Sequence, residues 1–464
     1  MPIEWTSGDR LLVRGIARVR GDHVDAGSRR DWWVVSLDGA QHNLTANMSE
    51  PPGRIWARED QELFVGTAGG EVWAVRPDSG AIENLTRKLQ APIKEIRWPK
   101  RALDNSQYAR PGETYQRIYI TAVEKSREET YELHLTTGQI SKLAPPDHAA
   151  TLMAVSPNRE TLYVRDDLEG LKLWSVNSSA TQRLVDVNAH LRDVAKPIYR
   201  KVQYTSLDGE PLIGWLVLPA DYRAGERYPL ITYVYLGHVQ RDVEPVHELH
   251  AFSDLFPVSR GYAVLRVSMP HAASGSPFDP MMTLPNGVLP AVDKAVELGV
   301  ADPNRLCLLG ASMGGYSVFG LLTQTNRFAA GAAMAGFSNL TSMYGQFAAH
   351  GRYTDFPHYD SGRSFMESIA MRAPPWKEAG RYFRNSPISY VDRVQTPLLI
   401  IHNDLDYVSI QQSEEFFFAL HRQGKRVRFV RYWGEGHVLK SPANIEDAWG
   451  QILNWFGQNR KSHH

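Results

Sequence analysis

Gly310-Ala311-Ser312-Met313-Gly314-Gly315-Tyr316 is the stretch on which the reading of this chain turns. It stands directly after the apolar run Arg305-Leu306-Cys307-Leu308-Leu309 and directly before the helix-like Ser317-Val318-Phe319-Gly320-Leu321-Leu322. A Gly-x-Ser-x-Gly sequence at a strand-to-helix junction makes a tight turn that holds the serine hydroxyl above a parallel sheet. Glycine is needed on both flanks because the strand and helix backbones pass too close to admit side chains.

Outward from that turn, strands and helices alternate from about Ile198 onward. Val202-Gln203-Tyr204-Thr205, Leu212 to Leu218, Leu230 to Tyr235 and Ala263 to Val267 read as strands. The last two are continuous apolar runs of the kind buried on both faces of a sheet. A helical pattern follows from Val288 to Leu298, then the serine turn, then strand patterns at Ala329 to Met334, Leu398 to Ile401 and Val427 to Tyr432. Alternation of this kind implies a mostly parallel sheet with right-handed crossovers. With a serine turn in its middle it is the pattern of an α/β-hydrolase, expected over residues 196–464.

The first 195 residues follow another rule. Trp33 to Gly39 leads to Asn43-Leu44-Thr45, and Val72-Trp73-Ala74-Val75 with Ser79-Gly80 leads to Asn84-Leu85-Thr86. Tyr131 to Leu135 leads to Lys142-Leu143, and Leu173 to Val176 leads to Arg183-Leu184. Leu44, Leu85, Leu143 and Leu184 recur at intervals of 41, 58 and 41 residues, the period of a four-stranded propeller blade. Short alternating strands joined by Asp-Gly, Ser-Gly and Thr-Gly turns fit such blades. The expectation is an all-β, propeller-like domain of about four blades. Either the ring is small or the chain begins partway through a larger one.

Composition narrows the function. At 464 residues the chain is long enough for two or three domains. Lys plus Arg equals Asp plus Glu at 51 each, so no charge excess points to nucleic acid or to an anionic membrane surface. No apolar run approaches the roughly 18 residues of a membrane span, and Met1-Pro2-Ile3-Glu4-Trp5 lacks the features of a signal peptide. A cytoplasmic protein is expected from the chain as written, an extracytoplasmic one if a leader has been lost. The single cysteine, Cys307, excludes an internal disulfide and is expected to be buried packing. Ser462-His463-His464 resembles a tag remnant and is set aside.

A serine hydroxyl is a weak nucleophile at neutral pH. It needs a base within hydrogen-bond reach, and that base needs an acid to hold its tautomer. On this fold they follow in the order serine, acid, histidine on loops beyond the strand ends. Leu398-Leu399-Ile400-Ile401 runs into His402-Asn403-Asp404-Leu405-Asp406, and Val427 to Tyr432 runs into Gly434-Glu435-Gly436-His437. His437 is the base; Asp404 and Asp406 both stand where the acid belongs. The backbone N–H of Met313, next to the nucleophile, is the first expected oxyanion donor.

Taken together, these features resemble the prolyl oligopeptidase family of serine peptidases. The likeness rests on Gly-x-Ser-x-Gly-Gly-Tyr, on His-Asn-x-x-Asp followed by Val408 and Gln411-Gln412-Ser413, on Gly-Glu-Gly-His, and on Arg381 to Pro387. It covers about residues 198–460 by sequence and the preceding blades only by architecture. The resemblance implies Asp406 as the acid, four residues after the strand-end histidine. The family usually has two residues between that aspartate and the valine, whereas here only Tyr407 intervenes. It further implies Tyr235, in Tyr235-Leu236-Gly237-His238, as the second oxyanion donor, with histidine where the family has proline. Phe337, Leu340, Tyr344 and Val408 become candidates for an apolar specificity pocket, although plain core packing explains each of them too.

The expected activity is cleavage of short peptides, folded proteins being kept out by the propeller. A carboxylesterase acting on small acyl esters with the same machinery is the alternative, and a scaffold with a relic hydrolase domain is a third reading that the intact serine, acid and histidine oppose. The expected partner is a peptide or small acyl substrate, with a homo-oligomer left open and no cofactor or metal. His247-Glu248-Leu249-His250 lacks a third ligand and the full zinc-protease spacing. Glu128-Glu129 resembles an amino-terminus-binding pair of the dipeptidyl peptidase branch, but an exposed strand face accounts for it.

Overall fold

A computed structural model of the chain describes residues 3–6, 10–16, 30–48, 52–57, 62–97, 116–124, 127–143, 151–155, 161–166, 170–175, 180–185, 190, 193–240, 242, 245, 251–269, 279–346, 371 and 373–459. The chain divides into two compact units, Met1–Val194 and Ala195–His464.

Among its described residues the first unit forms four four-stranded antiparallel sheets. They run from Ile3–Trp5 to Gln41–Asn43, from Pro52–Ala57 to Ala81–Asn84, from Ile93–Arg97 to Ile140–Leu143 and from Thr151–Val155 to Thr181–Val185. In each, strands consecutive in sequence are neighbours in space, which is the meander of a propeller blade. Neighbouring sheets share apolar clusters. Leu12, Trp32 and Leu44 meet Ile55, Phe64 and Val75; Leu63, Val72 and Leu85 meet Ile118, Ile120 and Leu133; Tyr119 and Leu143 meet Leu152 and Trp174.

The repeated Asn-Leu-Thr has a local cause. Thr86 N–H donates to Asn84 Oδ1 at 3.0 Å, and Thr86 Oγ1 accepts from Val72 N–H of the adjacent strand at 2.8 Å. The first sheet repeats the device: Thr45 N–H bonds Asn43 Oδ1 at 2.9 Å, and Thr45 Oγ1 accepts from Trp32 N–H at 3.0 Å. The side chains thus extend pairing beyond the last strand while the intervening leucine is driven inward. Leu44, Leu85 and Leu143 are buried. Leu184 departs from the pattern at 42% exposure, on a strand whose five residues are all exposed and whose ladder slips by one residue between Leu171 and Lys172. Such a bulge leaves one residue unpaired. Glu129 also departs from expectation: it is half-buried and pairs with Lys142 at 3.3 Å, while the side chain of Glu128 and the segment 246–250 with its two histidines lie outside the described residues.

The second unit is built on one eight-stranded sheet. Its spatial order is Ile198–Thr205, Pro211–Leu218, Ala263–Arg266, Tyr228–Tyr233, Ala301–Ala311, Ala330–Met334, Leu398–Asn403 and Val427–Tyr432. The first three pair antiparallel and the rest parallel, the arrangement of an α/β-hydrolase. The apolar runs serve both faces. Leu306 and Leu308 enter one core with the helices Leu284–Glu297 and Met313–Leu322, while Cys307 and Leu309 enter the other with Trp449, Ile452 and Phe456 of Pro442–Gln458. Cys307 is buried there, and burial pushes its thiol well up from the usual range.

The helix at Leu284–Glu297 starts four residues before its sequence pattern, with proline in its first turn, where a missing N–H costs nothing. A second proline, Pro290, lies inside it and cannot bond the carbonyl of Asn286. That carbonyl accepts instead from Leu207 N–H at 3.0 Å, so the interruption joins the helix to the loop after the first strand.

Candidate active site

The serine turn is as tight as its glycines suggest. A Cβ on Gly310 would lie 2.3 Å from Gly314 O, and one on Gly314 would lie 2.4 Å from Val234 O. Ser312 itself has φ 59° and ψ −118°, between the strand Ala301–Ala311 and the helix Met313–Leu322. A non-glycine residue held there costs about 1–3 kcal/mol and persists only where its surroundings impose it. Here Ser312 N–H is pinned to Met334 O at 2.8 Å on the neighbouring strand. Met313, first residue of the helix, has an N–H with no acceptor inside that helix.

Two other segments brace the turn. Tyr316 donates its hydroxyl to Asn385 O at 2.8 Å, and Asn385 is in turn bonded to Asp279 and to Met281 N–H. This places the Arg381 to Pro387 motif against the nucleophile helix. On the opposite side Leu236 N–H donates to Ser317 Oγ at 3.1 Å, and Ser317 donates to Met313 O at 2.8 Å. The loop after Tyr228–Tyr233 is thereby tied to the turn. Its Tyr235 is 43% exposed, with a ring atom 3.6 Å from where a Gly314 side chain would begin. Ser317 is a bracing residue that sequence reasoning missed; its helical position alone gave no sign of it.

The residues expected as acid and base, Asp406 and His437, meet across two strand-end loops. Asp406 Oδ1 accepts from His437 Nδ1 at 2.7 Å and from Val408 N–H at 2.8 Å. Asp406 is 1% exposed, and burial raises its carboxyl, yet the two imidazoles beside it, His402 and His437, outweigh that and hold it below the usual carboxylate range. With Nδ1 donating to the carboxylate, Nε2 of His437 is the free base. The Tyr407 ring lies on the imidazole at 4.2 Å between centroids. The shortened interval between Asp406 and Val408 leaves the carboxylate on His437 and puts an aromatic face beside it.

Asp404 is occupied elsewhere. Its Oδ1 accepts from Gly434 N–H at 2.7 Å, and its own N–H bonds Tyr432 O. Asn403 Nδ2 donates to Gly436 O at 2.6 Å, and Leu405 N–H to Glu435 O at 3.1 Å. Glu435 then turns the other way: its carboxylate accepts from Lys440 N–H, Ser441 N–H and Asn444 Nδ2 within 3.0 Å, at the start of the last helix. Burial raises the Glu435 carboxyl, but these donors lower it further than burial raises it. His437 is therefore held from both ends of its loop and stays 17% exposed.

Three of the expected pocket residues, Phe337, Leu340 and Val408, are packed in the core, and Phe337 stacks on Tyr316 at 4.8 Å. Tyr344 is half-buried, edge-on to Trp376 and to Tyr382. A small recess beside His437 is lined by Phe252, Met334, Ala335, Asn403, His437 and Leu439 among others. Among the described residues no group of three or more His, Cys, Asp or Glu could hold a metal ion. No described helix is long and apolar enough to cross a membrane.

Residues 286–463 match the prolyl oligopeptidase family. The uncharacterized peptidase YuxL of Bacillus subtilis is 28% identical over 283 residues, 58% of this chain and 40% of its own. Dipeptidyl-peptidase 5 of Porphyromonas gingivalis is 28% identical over 346 residues, 70% and 48% of the two chains. The chain thus spans about half the length or less of these relatives. Among solved structures, an acylaminoacyl peptidase of Pyrococcus horikoshii aligns with all of this chain and 71% of its own at a TM-score of 0.70 and 20% identity, a likeness of fold. From the serine turn through the Gly-Glu-Gly-His loop, the C-terminal unit of this chain carries a prolyl oligopeptidase family domain.

Proposed function

We propose that this chain is a serine peptidase that cleaves short peptides through an acyl-enzyme. Ser312 Oγ attacks the scissile carbonyl carbon while His437 Nε2 takes its proton, and Asp406 steadies the imidazolium that forms. The carbonyl oxygen becomes an oxyanion between Met313 N–H and the Tyr235 hydroxyl, donors already aimed where the charge develops. His437 then gives its proton to the leaving amine as the C–N bond breaks. Water, deprotonated by His437, attacks the acyl-Ser312 ester, and the proton returns to the serine as the acid product leaves. Of the expected pocket residues, half-buried Tyr344 is left to favour an apolar group before the scissile bond, since Phe337, Leu340 and Val408 are packed in the core.

The observation that carries this reading is the 2.7 Å contact of Asp406 with His437 Nδ1, on the same sheet end as a serine held at φ 59°. The test is kcat/KM on matched peptide amides and short-chain esters, with the Ser312→Ala variant as control. Turnover of both, abolished by Ser312→Ala, is the expected result. Turnover of esters alone would replace the peptidase by an esterase, and turnover surviving Ser312→Ala would remove the assigned nucleophile.

A further inference from the structure

Asp406 has two oxygens, and His437 and Val408 use only one of them. Its Oδ2 is buried and makes no hydrogen bond. An unsatisfied buried carboxylate oxygen is costly unless a dipole or charge faces it. What faces it is a second imidazole. His402, at the end of the strand Leu398–Asn403, is 1% exposed, with Nε2 3.4 Å from Asp406 Oδ2.

The tautomer of His402 follows from its neighbours. Nε2 meets only acceptors, Val408 O at 2.9 Å and the carboxylate oxygen, so Nε2 carries a proton. Nδ1 lies 2.7 Å from Ser413 Oγ on the helix Gln411–Arg422, whose hydroxyl also comes within 3.4 Å of Gly336 O. The ring is thereby held at both nitrogens, with its N–H aimed between the carbonyl and the carboxylate. Val408 closes the ring of contacts: its O receives His402 and its N–H serves Asp406 Oδ1.

We infer that His402 is a positioning residue for the triad acid, fixing the plane of the Asp406 carboxylate so that Oδ1 stays on His437 Nδ1. This rests on the assignment of Ser312, Asp406 and His437 as a triad. His402 touches no substrate; it acts through Asp406.

The test is the second-order rate at which an alkyl fluorophosphonate labels Ser312 in the full chain, read together with kcat and KM on a peptide amide. His402→Leu removes the donor and should slow labelling by up to about 10²-fold, the cost of misplacing a catalytic group by an ångström, with KM nearly unchanged. His402→Gln, which can return an N–H to the same place, should recover at least tenfold of that. In an Asp406→Asn background His402→Leu should cost nothing more, since a residue acting through Asp406 has nothing left to act on. Losses that add in that background would overturn the inference, as would labelling of His402→Leu at the wild-type rate. Should His402→Leu not fold, Ser413→Ala takes its place: it frees Nδ1, should slow labelling, and should likewise add nothing to Asp406→Asn. A wild-type chain that the probe leaves unlabelled at Ser312 would instead overturn the triad itself, and the role of His402 with it.

Discussion

In the first unit the polar side chains that close the first two sheets act on close neighbours, as when Thr86 reaches Asn84 two residues back and Val72 on the next strand. In the second unit the corresponding ties join distant segments: Tyr316 to Asn385, Ser338 to Gln412, Asp406 to His437. The first arrangement repeats, because each sheet closes on itself and its neighbour needs only a similar partner. The second occurs once. A repeated local device spreads stability over many equivalent residues, whereas the site concentrates its chemistry in a few atoms that no neighbour can replace.

The largest expected effect tests that concentration. Replacing the acid by asparagine leaves the imidazole in the wrong tautomer, so Asp406→Asn should lower kcat by about 10⁴. Asp404→Asn keeps an oxygen for Gly434 N–H and should cost no more than one ordinary hydrogen bond, about 1 kcal/mol or some fivefold. Steady-state kinetics on one peptide amide decides it, and the reverse ranking would move the acid to Asp404.

A smaller loss is expected at the oxyanion. Tyr235→Phe removes a hydroxyl from an exposed ring and leaves its packing intact. If that hydroxyl meets the developing charge, kcat should fall by about 10²–10³ with KM little altered. Wild-type kcat in this variant would retire Tyr235 from the site and leave the triad standing.

The remaining effects are on stability and belong to the repeated unit. Leu85→Ala empties a buried corner and should destabilise the first unit by about 2–5 kcal/mol. Leu184→Ala acts on an exposed bulge residue and should stay within about 0.5 kcal/mol. Denaturant midpoints followed by tryptophan fluorescence measure both. Equal costs would mean that the fourth corner is closed like the second.

Much of the fold was legible in the chain. The parallel strands show as apolar runs because alternate residues feed two cores, as Leu398 and Ile400 face one and Leu399 and Ile401 the other. The helix begins four residues before the apolar pattern from Val288, with Pro285 in its first turn and Gly287 buried. The fourth leucine followed the spacing but not the burial, since spacing along the chain does not show that its whole strand, Thr181–Val185, is exposed. At the site, Ser312 and His437 were legible from their glycine-flanked loops, and His402 only as a letter in a motif.

What the sequence by itself determined is whatever depends on residues close together in the chain. The serine turn is such a case: two backbones crossing within a side chain's width demand glycine at set positions beside the nucleophile. The Asn-Leu-Thr corners are another. The choice between Asp404 and Asp406 belonged to tertiary structure, because two carboxylates on one turn point in different directions and only the loop from Gly434 to His437 distinguishes them. It gives Asp404 a backbone N–H and Asp406 an imidazole. The second imidazole behind Asp406 was decided the same way, by a strand end, a turn and a helix brought around one buried carboxylate.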